Sequence, residues 1–399
     1  MNITTESWNI SSTSGVEDAT VQTFMAMHVI YKEHLPVIYE IPKIVKAIMY
    51  VFGFPGNILA CIMWLQRPLL HSSGCYLASL AISDLLFLVL SMMFDLEYIW
   101  EIKTIGVPVV CQAFPVIYMA VQYMSPLLTM AFTVERFISV RFPLGRRIYC
   151  TVKRAAMVIL FLALFVLVAG GIQAYIWDYD YTHHACDIRI GIDEFRKHWT
   201  WVTESTMFVL VPVLILGMNV LLIFTIRRSK RRARHLYGSP PKHRSATTKM
   251  LLVVSFYLIF TTLPVTILYA IGDFFPPNIE TYDNISKDPL WQSHFKYMVV
   301  REAVYAIGMS HYVCNFYLYL ATGHRFRMET KRYFQHIVKK GEPFLLSDDG
   351  EQNKRMIAFA TSENLTELAA SDTFFWAGTF YTCHTMFHQI YSILVQKAS

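Results

Sequence analysis

Residues 127–142 read Leu-Leu-Thr-Met-Ala-Phe-Thr-Val-Glu-Arg-Phe-Ile-Ser-Val-Arg-Phe. The run up to Val134 carries no charge; Glu135 and Arg136 then stand side by side, and Arg141, Arg146, Arg147, Lys153 and Arg154 follow. Charge is costly in hydrocarbon and cationic loops stay on the cytoplasmic side, so this is the pattern of a helix leaving a bilayer. Traced backward, the run reaches residue 108. At about 1.5 Å per residue that is enough helix to cross a hydrocarbon core of ~30 Å.

Six further runs have the same character, at about 44–66, 74–100, 154–177, 199–226, 248–273 and 298–321. Only 16% of the 399 residues are charged and 54% are hydrophobic, whereas soluble domains carry about a quarter charged residues. The basic residues sit in short connections: after 141, in the run from Arg227 to Arg234, and at Arg325, Arg327, Lys331 and Arg332. These connections share one side, and the positive-inside rule makes it the cytoplasm. Seven spans then leave the N-terminus outside, in a multi-pass plasma-membrane protein. The expected fold is all-α: a seven-transmembrane helix bundle over 44–321, with an extracellular tail at 1–43. Residues 322–340 place Phe326, Tyr333, Phe334 and Ile337 near helical spacing among basic residues, an amphipathic eighth helix for the inner leaflet. A cytoplasmic tail follows at 341–399; its aromatic stretch 374–395 has no account from sequence.

The net charge of +6 lies in these loops, so membrane lipid rather than nucleic acid is its expected partner. Met1–Asn9 lacks the basic start and apolar run of a signal peptide. The seven cysteines have no paired C-x-x-C spacing that would suggest a zinc site. Glycosylation sequons at Asn2, Asn9 and Asn284 fall on the outer side; a fourth, at Asn364, falls inside and is expected to stay unmodified.

Several polar residues interrupt the spans: Asn57 in the first, Asp84 in the second, Asn315 and Tyr319 in the seventh. Each is either a polar contact gluing helices or part of a working site. The alternative to a receptor is a transporter, which is usually built from repeated halves; no such repeat is evident. An enzyme is not indicated, because no nucleophile–base pair or metal-ligand cluster appears in the spans.

The ending Glu135-Arg136-Phe137 resembles the Asp/Glu-Arg-Tyr/Phe signature of rhodopsin-like G-protein-coupled receptors. Gly56-Asn57, Leu80-Ala81-Ile82-Ser83-Asp84, Pro212 and Pro264 match the same family, in order and on the right spans. The resemblance covers residues 44–340. It implies that Arg136 pairs with Glu135 at rest and is released toward a heterotrimeric G protein. It also implies that Pro212 and Pro264 bend their helices so that helix six swings outward. Asp84, Ser125 and Asn57, with Asn315 nearby, would form a sodium and water site; no other cofactor is implied. Cys111 lies about 37 Å of helix from Arg136, at the outer face. Cys186 falls in the outer loop after span four, so a Cys111–Cys186 disulfide is expected in that oxidising compartment.

Other positions depart from the family pattern. Thr262 stands where a tryptophan is usual, Phe316 where a proline follows Asn315, and Val220 where helix five has a tyrosine. Pro126 is expected to interrupt helix three. Arg244 occupies the place of a second acidic partner for Arg136, so basal activity is expected.

The ligand end excludes two classes. Met309 replaces the retinal-binding lysine, and Tyr118 the aspartate that binds amines. Charges at this end, namely Asp95, Glu97, Glu101, Glu204, Asp273, Arg301 and Glu302, read mostly as solvated loop charges. Glu204 is the exception, eight residues before Pro212 and about 12 Å outward along the helix. The resemblance implies that this position faces the ligand pocket, where an acid would suit a basic ligand group, with Tyr118, Gln122 and Tyr269 around it. The seventh span and its basic continuation, Gly323-His324-Arg325-Phe326-Arg327, are similar to invertebrate neuropeptide receptors of the FMRFamide and myosuppressin type. That similarity implies an extracellular amidated peptide ending in Arg-Phe, its arginine meeting Glu204 or Glu302, with Arg301 beside them. A receptor for another peptide or a small metabolite stays open. Ser347, Thr361, Ser362, Thr366, Ser371 and Thr373 stand among acids, suited to phosphorylation and arrestin.

Overall fold

The computed structural model describes residues 30–67, 69–100, 102, 104–142, 145–181, 185–237, 245–277 and 285–341, with strands 345–348, 357–359, 374–379 and 390–395. The sequons at Asn2, Asn9, Asn284 and Asn364, along with Arg244 and the phosphorylatable positions 361–373, lie outside the described residues; Ser347 falls in a described strand.

Seven long helices form the first of two compact units. They are α1 (Val37–Leu65), α2 (Ser72–Tyr98), α3 (Pro108–Arg141), α4 (Val152–Gly171), α5 (193–237), α6 (Ser245–Ile271) and α7 (Pro289–Thr322). α1 packs on α2 and α7, α2 on α3 and α4, α3 on α4 and α5, and α6 on α5 and α7, so the bundle closes on itself. Six of these are long and apolar enough to cross a membrane. α7 is long enough but falls short in apolarity, because Arg301, Glu302, His294, His311 and Asn315 interrupt it. Most of these groups are turned into the bundle: His294, His311 and Asn315 are buried.

Prolines shape the helices less uniformly than expected. α3 runs unbroken through Pro115 and Pro126, so Pro126 does not interrupt it; its neighbours Ser125 and Leu127 are buried and hold the segment helical by packing. α5 is a helix at Asp193–Ser205, a π turn at Thr206–Leu210, then a helix at Val211–Tyr237. The π turn lies just before Pro212. Proline has no N–H for the carbonyl four residues back, and that carbonyl, of Phe208, lies 3.5 Å from the Thr266 hydroxyl of α6. α6 carries Pro264 within it.

Small residues set the closest approaches. A Cβ on Gly170 of α4 would stand 2.7 Å from the Val116 carbonyl of α3, and one on Gly308 of α7 would stand 2.5 Å from Val265 Cγ2 of α6. Gly171, the next residue, faces open space. Gly170→Ala is therefore expected to push α3 and α4 apart and cost ~1–3 kcal/mol, lowering the Tm of detergent-solubilised protein. Gly171→Ala is the control, with Tm held or slightly raised. Equal effects of the two would contradict this packing.

One end of the bundle carries a hairpin, β1 (Trp177–Asp180) and β2 (Ala185–Ile188), antiparallel with Tyr179 opposite Cys186. Cys186 is bonded to Cys111 in the first turn of α3, with Cα atoms 5.4 Å apart. The expected disulfide is present, and it fixes the hairpin over that end of α3. A cross-link closing so long a loop contributes about 4 kcal/mol in the chain-entropy account.

The helix α8 (His324–Gly341) follows α7 directly. Arg327 Nη1 donates to the carbonyls of Leu320 and Ala321, each at 2.8 Å, closing the end of α7. In the second unit, β3 (Leu345–Asp348) pairs with β4 (Ile357–Phe359), and β5 (Phe374–Thr379) with β6 (Ile390–Val395), both antiparallel. Within the aromatic stretch, residues 374–379 and 390–395 thus form a strand pair.

Candidate functional site

Three polar layers follow one another along the bundle. At the disulfide end is a cavity of about 670 Å³ walled by α1, α2, α3, α5, α6 and α7. Tyr118, Gln122, Glu204, Tyr269 and Glu302 all contribute to its wall. Glu204 is half-buried, and its Oε1 accepts from the Tyr123 hydroxyl at 3.3 Å. Tyr118 lies among aromatic rings, with centroids 5.4 Å from Phe87, 5.6 Å from Phe114 and 6.4 Å from Phe94. Arg301 does not line the cavity. Its Nη2 donates to Glu302 Oε1 at 3.2 Å, and its guanidinium lies over the Tyr305 ring at 5.7 Å.

Two of the charges at this end, Asp95 and Glu97, are less solvated than their positions in sequence suggest, while Glu101 lies outside the described residues. Asp95 is 1% exposed. Its Oδ1 lies 2.6 Å from Lys46 Nζ, and its Oδ2 accepts from the Tyr50 hydroxyl. Glu97 accepts from the backbone N–H groups of Thr104 and Ile105 and so holds the turn into α3. Burial at a helix–helix seam explains the difference for Asp95, because a buried carboxylate needs partners. Sequence reasoning missed Lys46 and Tyr50. The available signal was a lysine inside an apolar helix, a turn away from the tyrosine.

The middle layer centres on Asp84, which is fully buried. Asn315 Nδ2 donates to Asp84 Oδ2 at 2.6 Å, joining α2 to α7. Asn57 Nδ2 donates to the carbonyls of Gly53 (3.0 Å) and Tyr312 (2.7 Å), so Asn57 ties α1 to α7 rather than touching the carboxylate. The Ser125 hydroxyl, fully buried on α3, faces Asp84 but is beyond hydrogen-bond geometry. Asp84 Oδ1, Ser125 Oγ, Asn57 Oδ1 and the Tyr319 hydroxyl are buried with no hydrogen-bond partner among the described residues. Tyr319 itself is packed edge-on against Trp64 and Phe326, with ring centroids 5.4 and 5.5 Å away. Phe316, where a proline is usual, stacks edge-on with Phe326 at 5.9 Å.

At the third layer Glu135 is tied to α2. Glu135 Oε1 accepts from Ser73 at 2.5 Å and from Ser72 at 3.0 Å. Those serines open α2, where exposed N–H groups and the helix dipole favour an anion, so the carboxylate turns toward α2. Arg136 Nη2 lies 3.4 Å from His71 Nε2. His71 Nδ1 faces the Leu69 carbonyl at 2.5 Å; the ring therefore donates there and presents Nε2 to Arg136 as the acceptor. Across the same layer, the Thr133 and Ser255 hydroxyls meet at 3.4 Å between α3 and α6.

Comparison with known proteins adds the family. A profile described as 7 transmembrane receptor (rhodopsin family) matches residues 56–318. The chain is 29% identical to human growth hormone secretagogue receptor type 1 over 236 residues, covering 54% of this chain and 62% of the relative. It is 23% identical to human C-C chemokine receptor type 1 over 356 residues, covering 86% and 93%. It is 29% identical to mouse neuromedin-U receptor 2 over 119 residues, covering 29% and 30%. The chain thus spans less than two thirds of the length of the first of these relatives.

Proposed function

The chain belongs to the rhodopsin family of seven-transmembrane receptors, a receptor family and not an enzyme family, and from that premise we propose that it is a plasma-membrane receptor for an amidated peptide ending in Arg-Phe. The observation that carries this reading is the placement of Glu204 in the wall of an aromatic-lined cavity at the disulfide end. A half-buried carboxylate beside Tyr118, Gln122 and Tyr269 suits a guanidinium, which forms paired charge-assisted hydrogen bonds with it. Relatives named for growth hormone secretagogue, chemokine and neuromedin-U ligands support a peptide over an amine or a photon. In this reading the disulfide end faces outward, as the positive-inside rule requires, and the Glu135–Arg136 end meets the G protein. The α8 helix would lie on inner-leaflet lipid, and the serines and threonines of the tail would recruit arrestin once phosphorylated.

The transmission path runs through the middle layer. Its buried oxygen atoms without partners, from Asp84, Ser125 and Asn57, suit a hard cation such as sodium, or water. A cation bound there supplies positive charge against the Asp84 carboxylate and favours whichever helix arrangement holds it. Around Pro212 and Pro264 the helices lack backbone hydrogen bonds and bend at low cost, which frees the inner half of α6 to swing from α3. The Thr133–Ser255 contact is what that movement breaks.

The test is a second-messenger assay in cells expressing the full chain with a promiscuous G protein, challenged with a peptide panel. Submicromolar responses restricted to peptides ending in Arg-Phe-amide are expected. Responses only to unrelated peptides would retain the receptor and remove the Arg-Phe assignment.

A further inference from the structure

The cavity has a second polar pole, away from Glu204, formed by α1 and α2. Lys46 lines it with its side chain 22% exposed, while its partner Asp95 is 1% exposed. Both Asp95 oxygens are engaged, Oδ1 by Lys46 and Oδ2 by Tyr50. An ammonium has three N–H donors, and one serves Asp95. What faces the cavity is therefore a hydrogen-bond donor whose charge is already balanced by a carboxylate 2.6 Å away. A neutral carbonyl acceptor fits such a pole. A carboxylate fits less well, because it would bring a second negative charge against the buried Asp95, and like charges at close range are strongly disfavoured.

Beside this pole Phe87, Phe94 and Tyr118 stand together, with Phe87 stacked on Tyr312 at 3.7 Å between ring centroids. These rings form an apolar shelf for a flat side chain. The wall thus offers, from one side to the other, a donor, an aromatic shelf and an acid.

We propose that Lys46, held in place by Asp95 and Tyr50, is the subsite for the C-terminal carboxamide of a peptide ligand, whose last ring rests on the Phe87–Phe94–Tyr118 shelf and whose preceding arginine points to Glu204. The assignment rests on the peptide reading above and adds to it an orientation and a reason for amide over acid.

The probes are a synthetic tetrapeptide ending in Arg-Phe-amide, the same peptide as its free acid, and both forms with citrulline in place of arginine. Binding is measured on the full chain at the cell surface. The wild-type receptor is expected to prefer amide to acid by about 100-fold, which corresponds to about 2.7 kcal/mol of repulsion between the acid and Asp95. The double variant Lys46→Met, Asp95→Asn removes the pair without stranding a buried charge. In it the amide preference is expected to fall below about fivefold, while the preference for arginine over citrulline persists. Asp95→Asn leaves only Lys46, the more exposed partner, as an unbalanced cation and serves if the double variant does not reach the surface; it is expected to reduce the amide preference at least about tenfold, since the acid no longer meets a second negative charge. An unchanged amide preference in the variant that reaches the surface, with arginine preference intact, overturns the subsite and spares the peptide reading. Failure of every probe to bind the wild-type receptor overturns both.

Discussion

Arg136→Ala is expected to leave the receptor at the cell surface and able to bind its ligand, yet to reduce G-protein activation by at least about 100-fold, the loss of ~3 kcal/mol typical of an arginine at the centre of an interface. The position lies within the last two turns of α3, beside His71, in the layer where α3 and α6 meet through Thr133 and Ser255. Glu135 is held by Ser72 and Ser73 of α2, so removing the guanidinium does not strand that carboxylate. Folding should therefore survive the substitution, and the loss should lie in coupling. Surface labelling, ligand binding and second-messenger output, measured on the same cells, separate the two. Wild-type signalling by the alanine variant would exclude Arg136 from the coupling surface. Arg136→Lys is expected to restore little, since an ammonium lacks the planar fork of donors.

Glu204→Gln is expected to weaken an arginine-containing peptide by about 30- to 100-fold, because it removes one partner of a desolvated charge pair and leaves the other unbalanced. The same variant should change the potency of the citrulline peptide by less than about threefold, since glutamine still offers an amide oxygen. The Tyr123 hydroxyl, 3.3 Å from Glu204, retains an acceptor in the glutamine variant, so the wall is not expected to collapse. Equal losses for both peptides would remove Glu204 from the ligand site.

The bundle was legible because lipid imposes its terms on every residue of a span. Long apolar runs, basic connections and the Cys111–Cys186 spacing pointed to seven helices and one cross-link, and both are present. What composition cannot carry is rotation of one helix against another. Asp95 reads as a solvated charge near a helix end until α1 brings Lys46 and Tyr50 against it from nearly 50 positions earlier. Glu135 and Arg136 are adjacent in sequence and so invite a local pair; that Glu135 also reaches the helix-opening serines of α2 depends on how α2 sits against α3, which no local pattern carries. The Asn57 side chain donates to two backbone carbonyls, contacts between helices that its position in span one does not announce. The π turn ahead of Pro212 also escaped notice, since a proline predicts a missing hydrogen bond but not how the helix absorbs it. Five of the six residues expected to line the ligand site do share one cavity wall. They were found through the positions that the family resemblance marks, Tyr118 where amine receptors carry an aspartate and Glu204 eight residues before Pro212; Arg301 turned instead to its neighbour Glu302.

The most direct measurement of the central claim is guanine-nucleotide exchange on a purified heterotrimeric G protein, driven by the purified full chain in lipid nanodiscs. Addition of an Arg-Phe-amide peptide is expected to accelerate exchange severalfold over the basal rate, and Arg136→Ala is expected to abolish the acceleration. Peptide that binds the nanodisc receptor with submicromolar affinity, yet leaves exchange at its basal rate with every G-protein class, would contradict it.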